Sequence, residues 1–549
     1  MTGADLLVRA LVQRGVSTIT TLSGNGLNPL YVACRRAGVR VVDFRNEQAA
    51  SYAADAAARL TGRIGVCAVS SSVGHVNALI GVLNAWFDGA PVLLISGESS
   101  HAGTGRGKFQ ELDQVPLAAP ICKYARLVDR PEQIGYYVQE ACARATSGRP
   151  GPVNLVVPAD VLAAEVTGCA AREAQPGSGD ARPRAAPDPG LVREVGALLA
   201  RAERPLIVAG SGAFYAGAAG ALDHLASALS IPVVVPIWDR GTLPSRREHF
   251  LGVVGAASGE PRLVADADLL LLVGARVDYR LGYGEPPGVL PDVRIVRIDA
   301  DAGELRQGRE PDVGVLADPA SALAALAEEA SRRRLSPWAI WLREARGRLD
   351  EFRSRWSGPV PAAPPLTGRH IVEALRPLVS AEGSAETLFL MDGGNIGQWA
   401  HMALADRYPG HWLTCGASGV VGWGLGGAIG AKLAYPDRPV ILLSGDGSIG
   451  FNIAELETAV RHGTPFVALL ADDRAWGIVV TGQEGRYGPE GVIASRLGPV
   501  RYDLVAEGFG ALGIRVERPD EIGPAVARGL ESGRPTLVHV PIAVGGPAD

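Results

Sequence analysis

The chain has 549 residues, too many for a single hydrophobic core, and about three domains of ordinary size account for the length. Apolar residues make up 47% and charged residues 20%, with acids and bases interspersed to a formal net charge of −5. That balance excludes disordered and fibrous classes, and it offers no basic surface for nucleic acid or anionic lipid. Cys34, Cys67, Cys122, Cys142, Cys169 and Cys415 are scattered, with no CxxC. They read as reduced, mostly buried thiols rather than a disulfide frame or a zinc site. No uncharged apolar run of about 18 residues is present to span a bilayer. Met1–Asp5 opens a helix without a basic and then apolar leader, so a cytoplasmic protein is expected.

In chain order, an amphipathic helix over 4–14 leads to a strand over 18–22, then the turn-rich Ser23-Gly24-Asn25-Gly26. A second helix ends near Gly38. A strand over 39–44 runs into Arg45-Asn46-Glu47, and a small-residue helix follows over 49–60. A strand over 65–70 ends in Ser70-Ser71-Ser72-Val73-Gly74-His75, and another over 92–96 ends at Gly97-Glu98. This alternation of short apolar runs and helical patterns predicts a parallel α/β sheet. Residues 171–190 hold four prolines and no apolar period, as expected of a linker. A second α/β unit has strands expected near 205–209, 231–235, 267–274 and 293–299, and ends near 335. A helical stretch with Trp338, Trp341, Phe352 and Trp356 precedes a second proline-rich segment over 358–365. A third α/β unit takes the rest of the chain.

The densest chemistry lies in 441–479. An apolar run stops at Ser444-Gly445-Asp446-Gly447-Ser448, a helical pattern follows, and a second apolar run over 466–470 stops at Asp472-Asp473. This is a strand–loop–helix–strand unit with an acid at the carboxyl end of each strand, where open parallel sheets bind ligands. Two hard oxygen ligands there suit Mg²⁺ or Ca²⁺ with a bound phosphate. The glycines let backbone approach a phosphate, and a helix start favours its charge.

Gly445-Asp446-Gly447, with Asp472-Asp473 about 25 residues on, resembles the motif of thiamine-diphosphate-dependent enzymes. Further segments agree in order: Glu47 before Ala58-Ala-Arg-Leu-Thr-Gly62, Phe109-Gln110-Glu111, Gly148-Arg-Pro-Gly-Pro-Val153, Ile298-Asp-Ala-Asp301 and Gly422-Trp-Gly-Leu425. Together they resemble the acetolactate synthase and benzoylformate decarboxylase branch over nearly the whole chain. The resemblance implies three open parallel-sheet domains: pyrimidine-binding over 1–170, central over 191–335 and diphosphate- and metal-binding over 366–549. The linker 171–190 and a helical segment with linker over 336–365 separate them.

By the same resemblance, Glu47 activates the coenzyme through its aminopyrimidine ring. Asp446 and Asp473 ligate the metal by side chain, and Ala475 does so by its carbonyl. Gly394, Asn395 and Ile396, with Gly445, Gly447 and Ser448 and the run Ala475, Trp476, Gly477 and Ile478, face the coenzyme. Val421 stands where relatives place the bulky residue that wedges the coenzyme into its bent form. Gln110 faces the reactive side from a partner subunit, and His75 is a candidate proton shuttle. Asp473 stands where relatives usually have Asn.

Several departures bear on substrate. The serine-rich loop over 70–75 replaces a Thr-x-Gly-Pro-Gly pattern. Ser23, Asn25 and Asn28 lie at recognition positions, and Gly482 stands where acetolactate synthases tend to carry a Trp. Gly274-Ala-Arg-Val-Asp-Tyr-Arg280 resembles a stretch used by FAD-binding members. Gly252-Val-Val-Gly255 replaces a more distinctive sequence, so FAD stays open but is not the expected cofactor. The implied activity is decarboxylation of a 2-oxo acid donor with transfer of the acyl unit to a carbonyl acceptor. Simple decarboxylation is the nearest alternative. Cleavage of an acyloin, 2-hydroxyacyl-CoA or cyclic diketone comes next, and an inactive coenzyme-binding scaffold is the non-enzyme alternative. A homodimer or homotetramer is implied.

Overall fold

The computed structural model describes residues 1–166, 184–243, 247–255, 263–355, 360, 365–380, 386–408 and 411–546. Three six-stranded sheets, all of whose pairings are parallel, follow one another along the chain. The first holds β1 (Thr18–Leu22), β2 (Arg40–Asp43), β3 (Gly65–Val69), β4 (Val92–Glu98), β5 (Tyr124–Leu127) and β6 (Val153–Pro158), in the order β2-β1-β3-β4-β6-β5. The second holds β7 (Pro205–Ala209), β8 (Val233–Pro236), β9 (Phe250–Val254), β10 (Leu269–Val273), β11 (Arg294–Asp299) and β12 (Val313–Leu316), in the order β12-β11-β10-β7-β8-β9. The third holds β13 (Leu388–Asp392), β14 (His411–Thr414), β15 (Val440–Gly445), β16 (Val467–Asp472), β17 (Leu512–Arg515) and β18 (Thr536–Pro541). Its order, β14-β13-β15-β16-β18-β17, repeats the winding of the first sheet strand for strand.

The inner strands are continuous apolar runs because both faces are covered. Every residue of β3 and β10 is buried. In the third sheet the period of two sends alternate side chains to different cores. Phe389, Met391, Ile441 and Leu443 join a cluster continuous with the central domain. Leu388, Leu390, Val440 and Leu442 join a cluster continuous with the first domain.

First and third domains meet along two helices, Glu47–Thr61 and Gly424–Ala434. A Cβ on Gly426 would lie 2.7 Å from the Ala49 carbonyl oxygen, and one on Gly430 would lie 2.2 Å from that of Ala53. Two glycines and two alanines, each pair four apart, bring the backbones into contact. The helix expected from residue 49 begins at Glu47, because the Asn46 side chain accepts a hydrogen bond from the Gln48 N–H (2.9 Å) and caps it.

Strands β5, β9, β12, β14, β17 and β18 have no counterpart in the sequence reading. All but β18 are sheet edges, where one-sided burial weakens the apolar run; β18 is interrupted by His539. The helix Pro189–Leu199 starts inside the expected linker, where Asp188 accepts from the Gly190 and Leu191 N–H groups. The rest of that linker over 171–183, Cys169, Trp356 and most of 358–365 lie outside the described residues. The helix Ala339–Ser354 packs on the central sheet: Trp341 Nε1 donates to the Pro205 carbonyl and Trp338 Nε1 to that of Ala202, both at 2.9 Å. The five described cysteines are buried and unbonded to one another. Among the described residues, no helix is long and apolar enough to cross a membrane.

Candidate coenzyme site

In the third sheet the winding reverses between β13 and β15, and at such switch points open α/β sheets bind ligands beyond the strand ends. Register pairs Asp392 with Ser444 and Gly445 with Ala471, so the loops after β13, β15 and β16 emerge side by side. They enclose a cavity of about 260 Å³. Gly394, Asn395, Ile396, Val421, Gly445, Asp446, Gly447, Ser448, Asp473, Ala475, Trp476, Gly477 and Ile478 all line it.

The polar end of the cavity is built from tight contacts. The Asp446 and Asp473 carboxyl groups are within hydrogen-bonding reach of each other. Burial, reinforced by the charges of Asp473 and Asp472, pushes the Asp446 carboxyl up to about 8. Asp446 Oδ2 and both amide atoms of Asn395 are buried without a hydrogen-bond partner. A Cβ on Gly477 would lie 2.2 Å from Asp473 Oδ2 and 3.0 Å from Asn395 Nδ2, and one on Gly447 would strike the Trp476 ring at 2.7 Å. Glycine at these two positions is therefore what allows the carboxylates, the amide and the indole to converge. Three orphaned polar atoms from residues lining one cavity fit a cation and its anionic partner. Among the described residues no group of three or more His, Cys, Asp or Glu side chains could hold a metal. The remaining ligands here would be backbone carbonyl, phosphate and water.

The acidic pair divides its labour. Asp473 faces the cavity, with its Oδ1 accepting from the Ala475 N–H at 3.1 Å. Asp472 points inward, where Oδ2 lies 2.9 Å from His539 Nε2. His539 Nδ1 lies 3.1 Å from Asp503, which Arg501 also holds.

The first domain carries a separate constellation. Glu47 opens its helix and its Oε2 accepts from Asn77 Nδ2 at 2.7 Å; the same amide nitrogen donates to Asn46 Oδ1 at 3.0 Å. A Cβ on Gly74 would lie 3.2 Å from Glu47 Oε1 and 2.6 Å from Ser70 Oγ, so the serine-rich loop runs against the carboxylate. Gln110, in a left-handed backbone conformation (φ 55°), accepts from Ser71 Oγ at 3.0 Å and belongs to the same loop cluster. None of the residues lining the third-domain cavity comes from 1–166.

His75, the candidate shuttle, is turned away from the third-domain cavity. It is fully buried beneath the loop, its Nδ1 lies 2.7 Å from Ser96 Oγ, and burial lowers its pKa to about 4. Enclosed in this way, the imidazole lines neither of the two large cavities.

Two contributors escaped sequence reading. Ile237 and Trp238 of the central domain line the cavity. Trp238 adopts φ 72°, which is uncommon for a bulky residue. Its carbonyl accepts from Thr414 Oγ1 at 3.1 Å, and its ring lies 6.0 Å from that of Tyr279. Asp392, at the end of β13, accepts from the Gly424 N–H at 2.9 Å, and burial raises its carboxyl to about 7. The strand-end acid of Met391-Asp392-Gly393 was a visible signal; the Trp238 loop carried none.

Fold and site thus define a three-domain α/β enzyme whose coenzyme cavity lies at a sheet switch point. Comparison with known proteins specifies the class. The description "Thiamine pyrophosphate enzyme, N-terminal TPP binding domain" matches residues 1–117, the corresponding central domain matches 192–326, and "C-terminal TPP binding domain" matches 392–540. The chain is 31% identical to the acetolactate synthase large subunit of Parasynechococcus marenigrum (strain WH8102), over 99% of this chain and 88% of that protein. It is 32% identical to the 2-hydroxyacyl-CoA lyase of Oryza sativa subsp. japonica (98% and 95%) and 30% identical to the oxalyl-CoA decarboxylase of Escherichia coli (strain K12) (98% and 94%). The chain belongs to the thiamine pyrophosphate enzyme family.

Proposed function

We propose that this chain decarboxylates a 2-oxo acid donor and joins the acyl unit to a carbonyl acceptor, using thiamine diphosphate and Mg²⁺ in an acetolactate synthase-like way. The observation that carries this reading is that Asp446 Oδ2 and the Asn395 amide, buried and unpartnered, belong to residues lining one cavity with Asp473. Bound thiamine diphosphate supplies an electron sink for the pair released as CO₂ leaves. Asp446 and Asp473 hold the cation, and Asn395 orients the diphosphate end. Glu47 holds a proton at the aminopyrimidine ring, and Asn77 fixes the carboxylate's direction.

A single chain keeps Glu47 away from the cavity, so the reading includes a second copy that brings the two together. Exposed apolar side chains stand ready on both faces: Val73, Val76 and Phe109 in the first domain, and Phe451, Ile478 and Val479 in the third. The assembly is a homodimer or homotetramer in the cytoplasm.

A flavin is left out of this reading. At the switch between β7 and β10 in the central sheet the backbones press together, so that a Cβ on Gly210 would lie 2.3 Å from the Gly274 carbonyl oxygen. The adjoining cleft of about 900 Å³ has room for a dinucleotide. Its Arg276, however, is held by Glu304 through two 2.7 Å hydrogen bonds, and Arg280 is buried between Asp239 and Asp278. Both guanidiniums already hold carboxylates, which weighs against a pyrophosphate there.

The similarity to the rice 2-hydroxyacyl-CoA lyase favours C–C cleavage as a second reading. Purified protein with thiamine diphosphate and Mg²⁺ is offered pyruvate or benzoylformate, with and without an aldehyde acceptor, and the products are identified. An acyloin or 2-hydroxy-2-acyl product supports the carboligase. Free aldehyde alone supports simple decarboxylation. If all 2-oxo acids survive while a 2-hydroxyacyl-CoA is cleaved, the second reading replaces the first.

A further inference from the structure

Part of the cavity wall is the loop between β14 and the helix Gly424–Ala434. Gly419, Val420 and Val421 line the cavity there. Two of the flanking glycines, Gly419 and Gly422, have φ of 70° and 83°, and no regular element includes this stretch. A loop of this kind needs an external hold to present one shape to a ligand.

That hold comes from the first domain of the same chain. Arg59 Nη1 donates to the Thr414 carbonyl at 2.9 Å. Asn84 Nδ2 donates to the Cys415 carbonyl at 2.9 Å, and Asn84 Oδ1 accepts from Ser418 Oγ at 2.6 Å. Asp88 Oδ1 accepts from the Ala417 N–H at 3.0 Å. Beyond the lining residues, Trp423 Nε1 donates to Asp55 Oδ2 at 2.9 Å. The four first-domain groups also bind one another: Asn84 Nδ2 lies 3.0 Å from Asp55, and Arg59 Nη1 lies 3.5 Å from Asp55 and 3.4 Å from Asp88. All four are at most 3% exposed. Gly416 fits the grip: at φ 117°, its Cβ would lie 2.1 Å from Asp88 Oδ2 and 2.6 Å from Asn84 Oδ1.

The loop is thus pinned at 414–418 and again at 423, and the cavity is lined by Thr414 and Cys415 at its held end and by 419–421 beyond it. We propose that Asn84 and Asp88, backed by Arg59 and Asp55, are positioning residues for the coenzyme: they act through the pinned loop without touching the ligand. Among the described residues, Asp55 Oδ1, Arg59 Nε and Nη2 and Asp88 Oδ2 make no hydrogen bond, so the network holds the loop through the backbone contacts named above, and removing a member that makes them frees the loop. The inference rests on the coenzyme reading of the cavity.

The test compares the full-length wild type with Asn84→Ala, which deletes three contacts, and Ser418→Ala, which deletes one from the loop side and spares the buried network. Two quantities are read: the dissociation constant of thiamine diphosphate with Mg²⁺ by calorimetry, and hydrogen exchange of the peptide over 414–423. Asn84→Ala is expected to weaken coenzyme binding about tenfold and to speed exchange in that peptide, leaving β15 protected. Ser418→Ala is expected to show the same pattern at about two- to threefold. With saturating coenzyme, kcat recovers while the coenzyme KM stays raised, a split that general destabilisation does not give. Should Asn84→Ala fail to fold, Ser418→Ala decides the matter alone. Unchanged affinity and exchange in the folded variants overturn the proposal. A wild type that binds no thiamine diphosphate overturns the coenzyme reading and the proposal with it.

Discussion

The first and third domains share one winding, β2-β1-β3-β4-β6-β5 and β14-β13-β15-β16-β18-β17, yet their strand ends carry opposite chemistry. In the third domain the acids follow the third and fourth strands of the sheet, and two carboxylates are pressed together with orphaned polar atoms around them. In the first domain the equivalent ends carry the serine-rich loop and Glu98, which an ion pair with Lys108 satisfies at 2.8 Å. Its functional candidate, Glu47, follows the second strand and is held by a neutral amide. The same scaffold therefore gives one domain a charge-poor setting suited to moving a proton and the other a charge-rich setting suited to a cation. The loops decide the chemistry, and the sheet decides only where it occurs.

The comparison can be broken by exchanging what distinguishes the two ends. Glu47→Gln is expected to retain coenzyme binding and to lose turnover by about 10²–10⁴-fold, the range for a lost general acid–base group; steady-state kinetics with calorimetry checks both halves. Asp446→Ala is expected to weaken Mg²⁺-dependent coenzyme binding by about a hundredfold, while binding without metal, weak in both proteins, changes little. Mixing these two inactive variants sharpens the contrast: if Glu47 and Asp446 meet across two chains, mixed assemblies regain part of the activity. Mixtures that stay inactive despite subunit exchange, followed by mass spectrometry, argue for a site within one chain.

A smaller effect is expected where the two domains touch. Gly430→Ala places a methyl on the Ala53 carbonyl and should cost about 1–3 kcal/mol in urea unfolding. The smallest concerns Asp392, whose carboxyl is raised by burial from 3.8 to about 7. A carboxyl raised on folding stabilises the protein below its unfolded pKa, and that contribution is lost as pH rises through the folded value. Asp392→Asn keeps an acceptor for the Gly424 N–H and removes this dependence. Its melting temperature relative to wild type should therefore climb by a few degrees between pH 4 and 8. A flat difference across that interval would refute the assignment.

Much of this was legible in the sequence, for physical reasons. The inner strands are unbroken apolar runs ended by glycine or an acid, so their loops could be placed, and the family resemblance then named the cavity residues from Gly394 to Ile478. Edge strands such as Tyr124–Leu127 carry polar residues on an open side and gave no such run. His75 looked available because it follows a glycine in a polar loop; only three-dimensional packing against Ser96 shows its ring turned inward. Residue pattern alone does not separate Asp472 from Asp473; the family resemblance singled out Asp473, and the strand end turns Asp472 to His539 and Asp473 to the cavity. Trp238 and the Asn84–Asp88 grip join segments 176 and some 330 residues apart, and no local pattern encodes such meetings.

The alternation of side chains in the third sheet has a consequence for protein engineering. Phe389 and Met391 feed one core and Leu388 and Leu390 the other, each shared with a different domain. The cofactor half is therefore not a cassette. Residues 366–549 expressed alone would bare two sticky surfaces at once, and a chimera crossed over at either linker would have to re-match a foreign core. Recombination among relatives should succeed when the outer segments travel with the C-terminal one, and shuffled libraries would reveal that as a shortage of viable crossovers at both junctions.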